Sequence, residues 1–232
     1  MNFGHYLWPE TLAPESKVFS AFNRSWLMRY AAGHREQTRA KILRAAGKVF
    51  RRQGYHAAGV DKVMEEAGLT AGGFYAHFAS KEALLAETLA PAAAGALRDE
   101  PIEHLTGRAW AEAFVERYLG PAHLIKTEDG CPLPPLVSEV ARAGGSVKAS
   151  FEAIVQGLAT RLHGQAGGDV SEDRALAVLA LCVGGLGVAR SVQDEALAKR
   201  ILGACRDLAK LGLFADASVQ TSARPPRKRK AK

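Results

Sequence analysis

Residues 54–85 read GYHAAGVDKVMEEAGLTAGGFYAHFASKEALL, and this stretch decides the fold. Val60, Val63, Met64 and Ala67 recur at i, i+3, i+4 and i+7, the spacing of one helical face. Gly68-Leu69-Thr70 interrupts that face. Gly68 suits a left-handed helix stop, and Thr70 suits the N-cap of a second short helix carrying Phe74, Tyr75 and Phe78. Two short helices joined by a three-residue turn predict a helix-turn-helix. Gly72 and Gly73 weaken the second helix by about 1 kcal/mol each relative to alanine. Their compensation is clearance, since a surface poor in side chains approaches a groove wall closely.

Working outward, the preceding residues 36–53 form a two-faced helix. Ile42, Leu43, Ala46, Val49 and Phe50 share one side, and Lys41, Arg44, Lys48 and Arg51 lie on the opposite side. The 232-residue chain carries a formal charge of +7, and that charge is unevenly spread: +1 over 1–34, +3 over 35–90, −3 over 91–223 and +6 over the last nine residues. Such asymmetry predicts a polyanion partner for one part of the molecule. Tyr75 and His77 can donate to phosphate oxygens. Thr70 and the backbone at the helix start can face base edges or phosphates, and Lys81 can neutralise a further phosphate. Lys41, Arg44 and Lys48 add a cationic face.

The remainder predicts an all-α chain, with helices near 81–98, 102–119, 131–143, 146–164, 172–190 and 194–212, and a helical turn around 121–127. A membrane span is excluded, because the longest uncharged stretch, Ala175 to Ala189, is fifteen residues and holds three glycines, whereas a span needs about 20 apolar residues. No secretory signal is visible, and Cys131, Cys182 and Cys205 form no CxxC pair. A cytoplasmic protein is expected, organised as an N-terminal extension (1–34), a helix-turn-helix domain (35–80), a larger helical domain (81–213) and a basic flexible tail (214–232). The extension shows little periodicity, and Met28 would make a plausible native start. The tail, RPPRKRKAK, reads equally as a solvated end or as a binding arm.

The runs TRAKILRAAGKVFRRQGY and GVDKVMEEAGLTAGGFYAHFASKEALL resemble the DNA-binding region of TetR/AcrR-type transcriptional repressors over about residues 35–90. GCPLPPLVSEVAR, beginning at Gly130, is similar to a segment in the C-terminal domain of some members. The resemblance implies a three-helix DNA-binding domain, a helical ligand-binding and dimerisation domain, and a homodimer on a palindromic double-stranded DNA operator. It marks Thr70, Ala71, Gly72 and Tyr75 as the recognition face, with His77 and Lys81 towards the DNA backbone. Gly59 departs from the family pattern, standing where Ser or Thr commonly caps the second helix. The resemblance also implies a pocket for a small-molecule effector, with Trp110, Phe114, Tyr118, Leu136, Val140, Phe151 and Val155 as candidate lining residues. An effector that favours one dimer arrangement would lower operator affinity through linkage.

Leu197, Ile201, Ala204, Leu208 and Leu211 recur as a narrow seam suited to helix pairing, and Leu176, Leu179, Val183 and Leu186 line one side of the helix before it. These residues are the expected dimer interface. An enzyme is not expected, since the histidines are dispersed and no nucleophile-elbow, zinc-protease or phosphate-loop pattern occurs. No cofactor or metal is expected either; His123, Asp129 and Cys131 are too loosely spaced for a metal site. Two alternatives stay open: a thiol-responsive regulator in which Lys126 lowers the pKa of Cys131, and a helical scaffold protein without operator recognition.

Overall fold

The computed structural model describes residues 16–96, 102, 104–167 and 170–214, with side chains from residue 33 to 94 in the first of these segments. Residues 1–15, the ends of the helices expected near 98 and 102, and the basic tail beyond 214 lie outside the described residues. Among the described residues the chain is helical and holds no strand. The helices are α1 (Ser16–Gln53), α2 (Val60–Glu66), a 3₁₀ helix (Ala71–Ala76), α3 (Lys81–Ala96), α4 (Gly107–Tyr118), α5 (Pro121–Ile125), α6 (Leu133–Val140), α7 (Gly145–Ala166), α8 (Glu172–Arg190) and α9 (Glu195–Phe214).

Three features differ from the sequence reading. The first helix begins at Ser16 rather than near 36. No proline interrupts 16–53, and its two glycines, Gly33 and Gly47, cost only about 1 kcal/mol each in a helix anchored downstream. The second helix of the motif is a six-residue 3₁₀ helix instead of an α-helix over 71–78. Gly72 and Gly73 lower its helical propensity, and 3₁₀ geometry serves short runs. The helix expected from 102 starts at Gly107, after a turn.

The two parts share one hydrophobic cluster. Ile42, Ala46, Val49 and Phe50 of α1 cluster with Val63 and Met64 of α2, Phe74 and Phe78 of the segment 71–78, and Leu84 and Leu85 of α3, all buried. Burying each of the larger side chains contributes about 2–3 kcal/mol. Helix α3 packs on α1 with one side and on α7 with another, so it is the wall common to both parts. Beyond it, α4 lies on α7 and α9, while α8 packs most extensively against α9. No described helix is long and apolar enough to cross a membrane.

Candidate nucleic-acid interface

The segment 70–78 is fixed from behind and bare in front. Phe74 is fully buried, Phe78 nearly so, and their rings stack at 5.8 Å. Gly68 adopts φ +68°, the left-handed stop expected of it, and Leu69 N–H then closes the turn onto Met64 O at 2.9 Å. Thr70, Ala71, Gly72 and Tyr75 are exposed together, with Tyr75 75% accessible. Thr70 has the extended backbone of an N-cap, but its hydroxyl makes no cap bond. Gly59 likewise caps α2 without a side-chain bond. A notional Cβ on Gly72 would meet open space, so its missing side chain serves the outer face rather than the core.

Two arginines of α1 that local pattern did not single out reach this segment. Arg35 Nη2 donates to Ala76 O, at the C-terminal end of the 3₁₀ helix, at 2.9 Å. Arg39, one turn later, sits 4.6 Å above the Phe78 ring and pairs with Glu87 of α3. Their contacts span 39 to 48 residues of sequence, which no local periodicity reveals.

The expected phosphate contacts divide. Ser80 Oγ caps α3 by accepting from Ala83 N–H at 3.0 Å, which sets Lys81 at the helix start. Lys81 turns towards Tyr55, its Nζ 4.5 Å above the ring and 3.3 Å from His56 O. Partial burial pushes its pKa down. His77 is half-buried, and its Nδ1 is enclosed without a partner. Lys41 and Arg44 are exposed and Lys48 is half-buried. The fourth member of that cationic stripe, Arg51, is buried and points into the protein.

The family description "Bacterial regulatory proteins, tetR family" matches residues 42–88, the segment that carries this geometry. Over these residues the chain is similar to the tetR family. The chain is 45% identical over 47 residues to the HTH-type transcriptional activator FasR of Mycolicibacterium smegmatis, covering 20% of this chain and 22% of FasR. It is 30% identical over 117 residues to the uncharacterized HTH-type transcriptional regulator YxaF of Bacillus subtilis, covering 46% of this chain and 58% of YxaF. The matches therefore span less than two thirds of these relatives. The fold extends further: Escherichia coli NemR in its reduced form superposes with a TM-score of 0.63 at 20% identity, over 78% of this chain and 99% of that one.

The helix-turn-helix is tied to the helices that follow it by carboxylates and arginines. Glu139 of α6 accepts from the backbone N–H groups of Tyr55 at 2.7 Å and His56 at 3.0 Å. Gly54, at φ +82°, turns the chain so that both amides face this carboxylate. Arg52 donates to Glu66 of α2 at 3.0 Å and to Glu128 of the α5–α6 loop at 2.8 Å. Arg51 Nε donates to Glu128 O at 2.5 Å. Burial lowers the Arg51 pKa, against the opposing pull of Asp129 and other acidic neighbours. An open cleft of about 350 Å³ lies beside these contacts, lined by Arg52 and residues 125–129.

The same loop is held from its other side by His123. His123 Nδ1 lies 2.9 Å from Tyr118 O, and a carbonyl only accepts, so Nδ1 carries the proton. Nε2 then accepts from Cys131 N–H at 3.0 Å. Burial pushes the His123 pKa down to about 4, which agrees with a neutral ring. Arg190, at the end of α8, donates to His123 O at 2.5 Å and to Leu124 O at 3.3 Å. Cys131 is 2% exposed, and burial raises its thiol pKa. The lowering expected from Lys126 is therefore not found, because loss of hydration outweighs the surrounding cations.

The candidate pocket residues lie in the core. Trp110, Phe114, Tyr118, Leu136 and Val140 are buried, and Phe151 and Val155 are half-buried. Trp110, Phe114 and Tyr118 run along α4 with ring centroids 5.4 and 5.8 Å apart. Of the candidate interface residues, Leu176, Leu197 and Leu208 are exposed at 40% or more, and Ala204 is also exposed. Val183 and Ile201 are half-buried, while Leu179 and Leu186 are buried within the protomer. Leu211 of the α9 seam is exposed at 66%, and Val188, which was not among the candidates, extends the exposed apolar set at 55%. His123, Asp129 and Cys131 form no metal-holding group, and none of three or more such side chains occurs among the described residues.

Proposed function

We propose that the chain is a homodimeric, cytoplasmic transcriptional regulator, a repressor that binds a palindromic operator through residues 70–78 and is released by a small-molecule effector. The observation carrying this reading is the exposure of Thr70, Ala71, Gly72 and Tyr75 on a segment whose other side is locked by Phe74 and Phe78. A rigid short helix with small residues and a phenol facing outward suits a major groove, where close approach and hydrogen bonding to base edges and phosphates count together. Lys41, Arg44 and Lys48 supply further positive charge, with His77 and Lys81 near the DNA backbone.

Dimerisation rests on the exposed apolar strip of α8 and α9. Two recognition segments about one helical turn of DNA apart, roughly 34 Å, read the two halves of a palindrome. Trp110, Phe114, Tyr118 and their neighbours are the proposed effector surround, reached by rearrangement of the core. Burial of Cys131 favours this over thiol sensing, since a buried thiol held above its ordinary pKa is a poor nucleophile.

A gel-shift against the DNA flanking the chain's own gene tests the reading. A discrete complex should form and weaken steeply as salt rises, because phosphate contacts release counterions. Replacing Leu208 and Leu211 together by glutamate should give a folded monomer in sedimentation velocity and lower operator affinity at least about 100-fold, as one half-site alone is held. Binding by the monomer at wild-type affinity would sink the dimer reading.

A further inference from the structure

We propose that Arg35 and Arg39 are positioning residues for DNA recognition: a clamp from α1 that sets the angle of the segment 71–78, rather than contacts to DNA themselves. This rests on the reading of 70–78 as groove-facing. The segment has few means of holding its own direction. It is six residues of 3₁₀ helix with two consecutive glycines, and its N-cap threonine gives no side-chain bond. His77 and Phe78 N–H both turn back onto Phe74 O, at 2.9 and 3.1 Å. The carbonyls at the segment's end point away from that turn and need outside donors.

Arg35 supplies one. Its Nη2 meets Ala76 O at 2.9 Å, bringing a cation to the negative end of the helix. Arg39 completes the grip, with its guanidinium 4.6 Å above Phe78 and its pair with Glu87 tying that ring to α3. Arg35 and Arg39 are one turn apart on the same face of α1, so the rigid helix carries both attachments. Phe74 and Phe78 pack the segment inward, which leaves rocking about that stacked pair of rings as the free motion. A donor at Ala76 and a cation over Phe78 oppose that motion at the end where the lever arm is longest. Tyr75 lies between the two anchors and inherits their direction.

An arginine on the DNA-binding side of a basic domain invites the simpler role of a phosphate contact, and the two are separable. The probe is a duplex selected by the wild-type chain from a random pool, set against an unselected duplex. Amide hydrogen exchange of residues 71–78 in free Arg35→Ala and Arg35→Lys is measured alongside. The clamp predicts faster exchange at His77 and Phe78 in Arg35→Ala and partial recovery in Arg35→Lys. It predicts about tenfold weaker binding to the selected duplex, little change on the unselected one, and an unaltered slope of log affinity against log salt. Equal weakening on both duplexes with a slope shallower by about one marks a phosphate contact and overturns the proposal. Unchanged exchange over 71–78 overturns it whatever the DNA shows. A wild-type chain that selects no duplex defeats the groove-facing reading, while the exchange data still decide the clamp.

Discussion

The recognition edge and the junction behind it solve opposite problems with the same residue types. Along 70–78 the groups offered for binding stand outside the fold, and the segment is fixed by buried rings behind it. Around 51–56 and 116–139 several charged and polar groups turn inward, and Arg51 and Glu139 find partners far along the chain. Tyr75 is exposed at its edge, whereas Tyr118 is buried at the junction with its hydroxyl left without a hydrogen-bond partner. Substitutions at the edge should therefore cost binding and spare stability. Substitutions at the junction should cost stability first, because a buried group stripped of its partner loses its hydration as well.

The largest effect is expected from acid. The unfolded chain protonates His123 near pH 6.5, but the folded chain does so only near 4. Between those values the unfolded state binds more protons, so stability should fall as pH drops through that window and be fully present above 6.5. The loss from this residue is of order 2–3 kcal/mol. Protonation adds a donor at Nε2, where Cys131 N–H already points in. Denaturant midpoints from pH 7 to 4 measure the effect, and His123→Asn should flatten the curve in that range. An equally steep curve in the variant would assign the acid sensitivity elsewhere.

Next comes Glu139→Ala, which strips the acceptor from the Tyr55 and His56 amides. Tyr55 is half-buried and His56 exposed at the turn between α1 and α2, and the expected loss is about 2 kcal/mol in chemical denaturation. Tyr75→Ala should do the reverse. Its stability should fall by no more than about 1 kcal/mol, since the exposed ring meets the core edge-on at Phe74, 5.1 Å away, while affinity for the selected duplex drops about tenfold, near 1.4 kcal/mol. If Glu139→Ala unfolds no more easily than Tyr75→Ala, the contrast between edge and junction fails.

The two regions were also unequally legible. Local rules suffice for the edge: the i, i+3, i+4, i+7 spacing, Gly68 at its positive φ and Ser80 as a cap all act within a few residues. They misjudged the 3₁₀ geometry because the glycine pair was read for groove clearance and not for its effect on helix type. The junction has no local signature. Glu139 to Tyr55 spans 84 residues and Arg51 to Glu128 spans 77, so nothing in either neighbourhood announces the other. Arg51 fits the cationic stripe of α1 by angle, yet the α5–α6 loop covers it. The same limit applies to α8, where periodicity grouped Leu176 with Leu179 and Leu186 although only Leu176 faces out.

Lys81 stands on the border between the two regions, and its replacement should give the smallest effect and the sharpest test of where that border runs. Its ammonium lies over Tyr55 and near His56 O, on the turn that Glu139 holds from the other side. Partial burial lowers its pKa while the Glu139 charge opposes that shift, so the ammonium belongs to the junction's field. As a junction residue, Lys81→Ala should cost no more than about 1 kcal/mol of stability, the worth of an exposed cation over a ring. As a phosphate contact, it should instead leave stability alone and make the salt dependence of DNA binding shallower by about one ion. The free protein turns the side chain inward, but the ring contact is weak enough for a phosphate to compete for it. The expected outcome is both signatures at once: a small stability loss without DNA and a shallower salt slope with it. A full-slope variant would place Lys81 wholly behind the edge, and the DNA backbone would then be met by other cations.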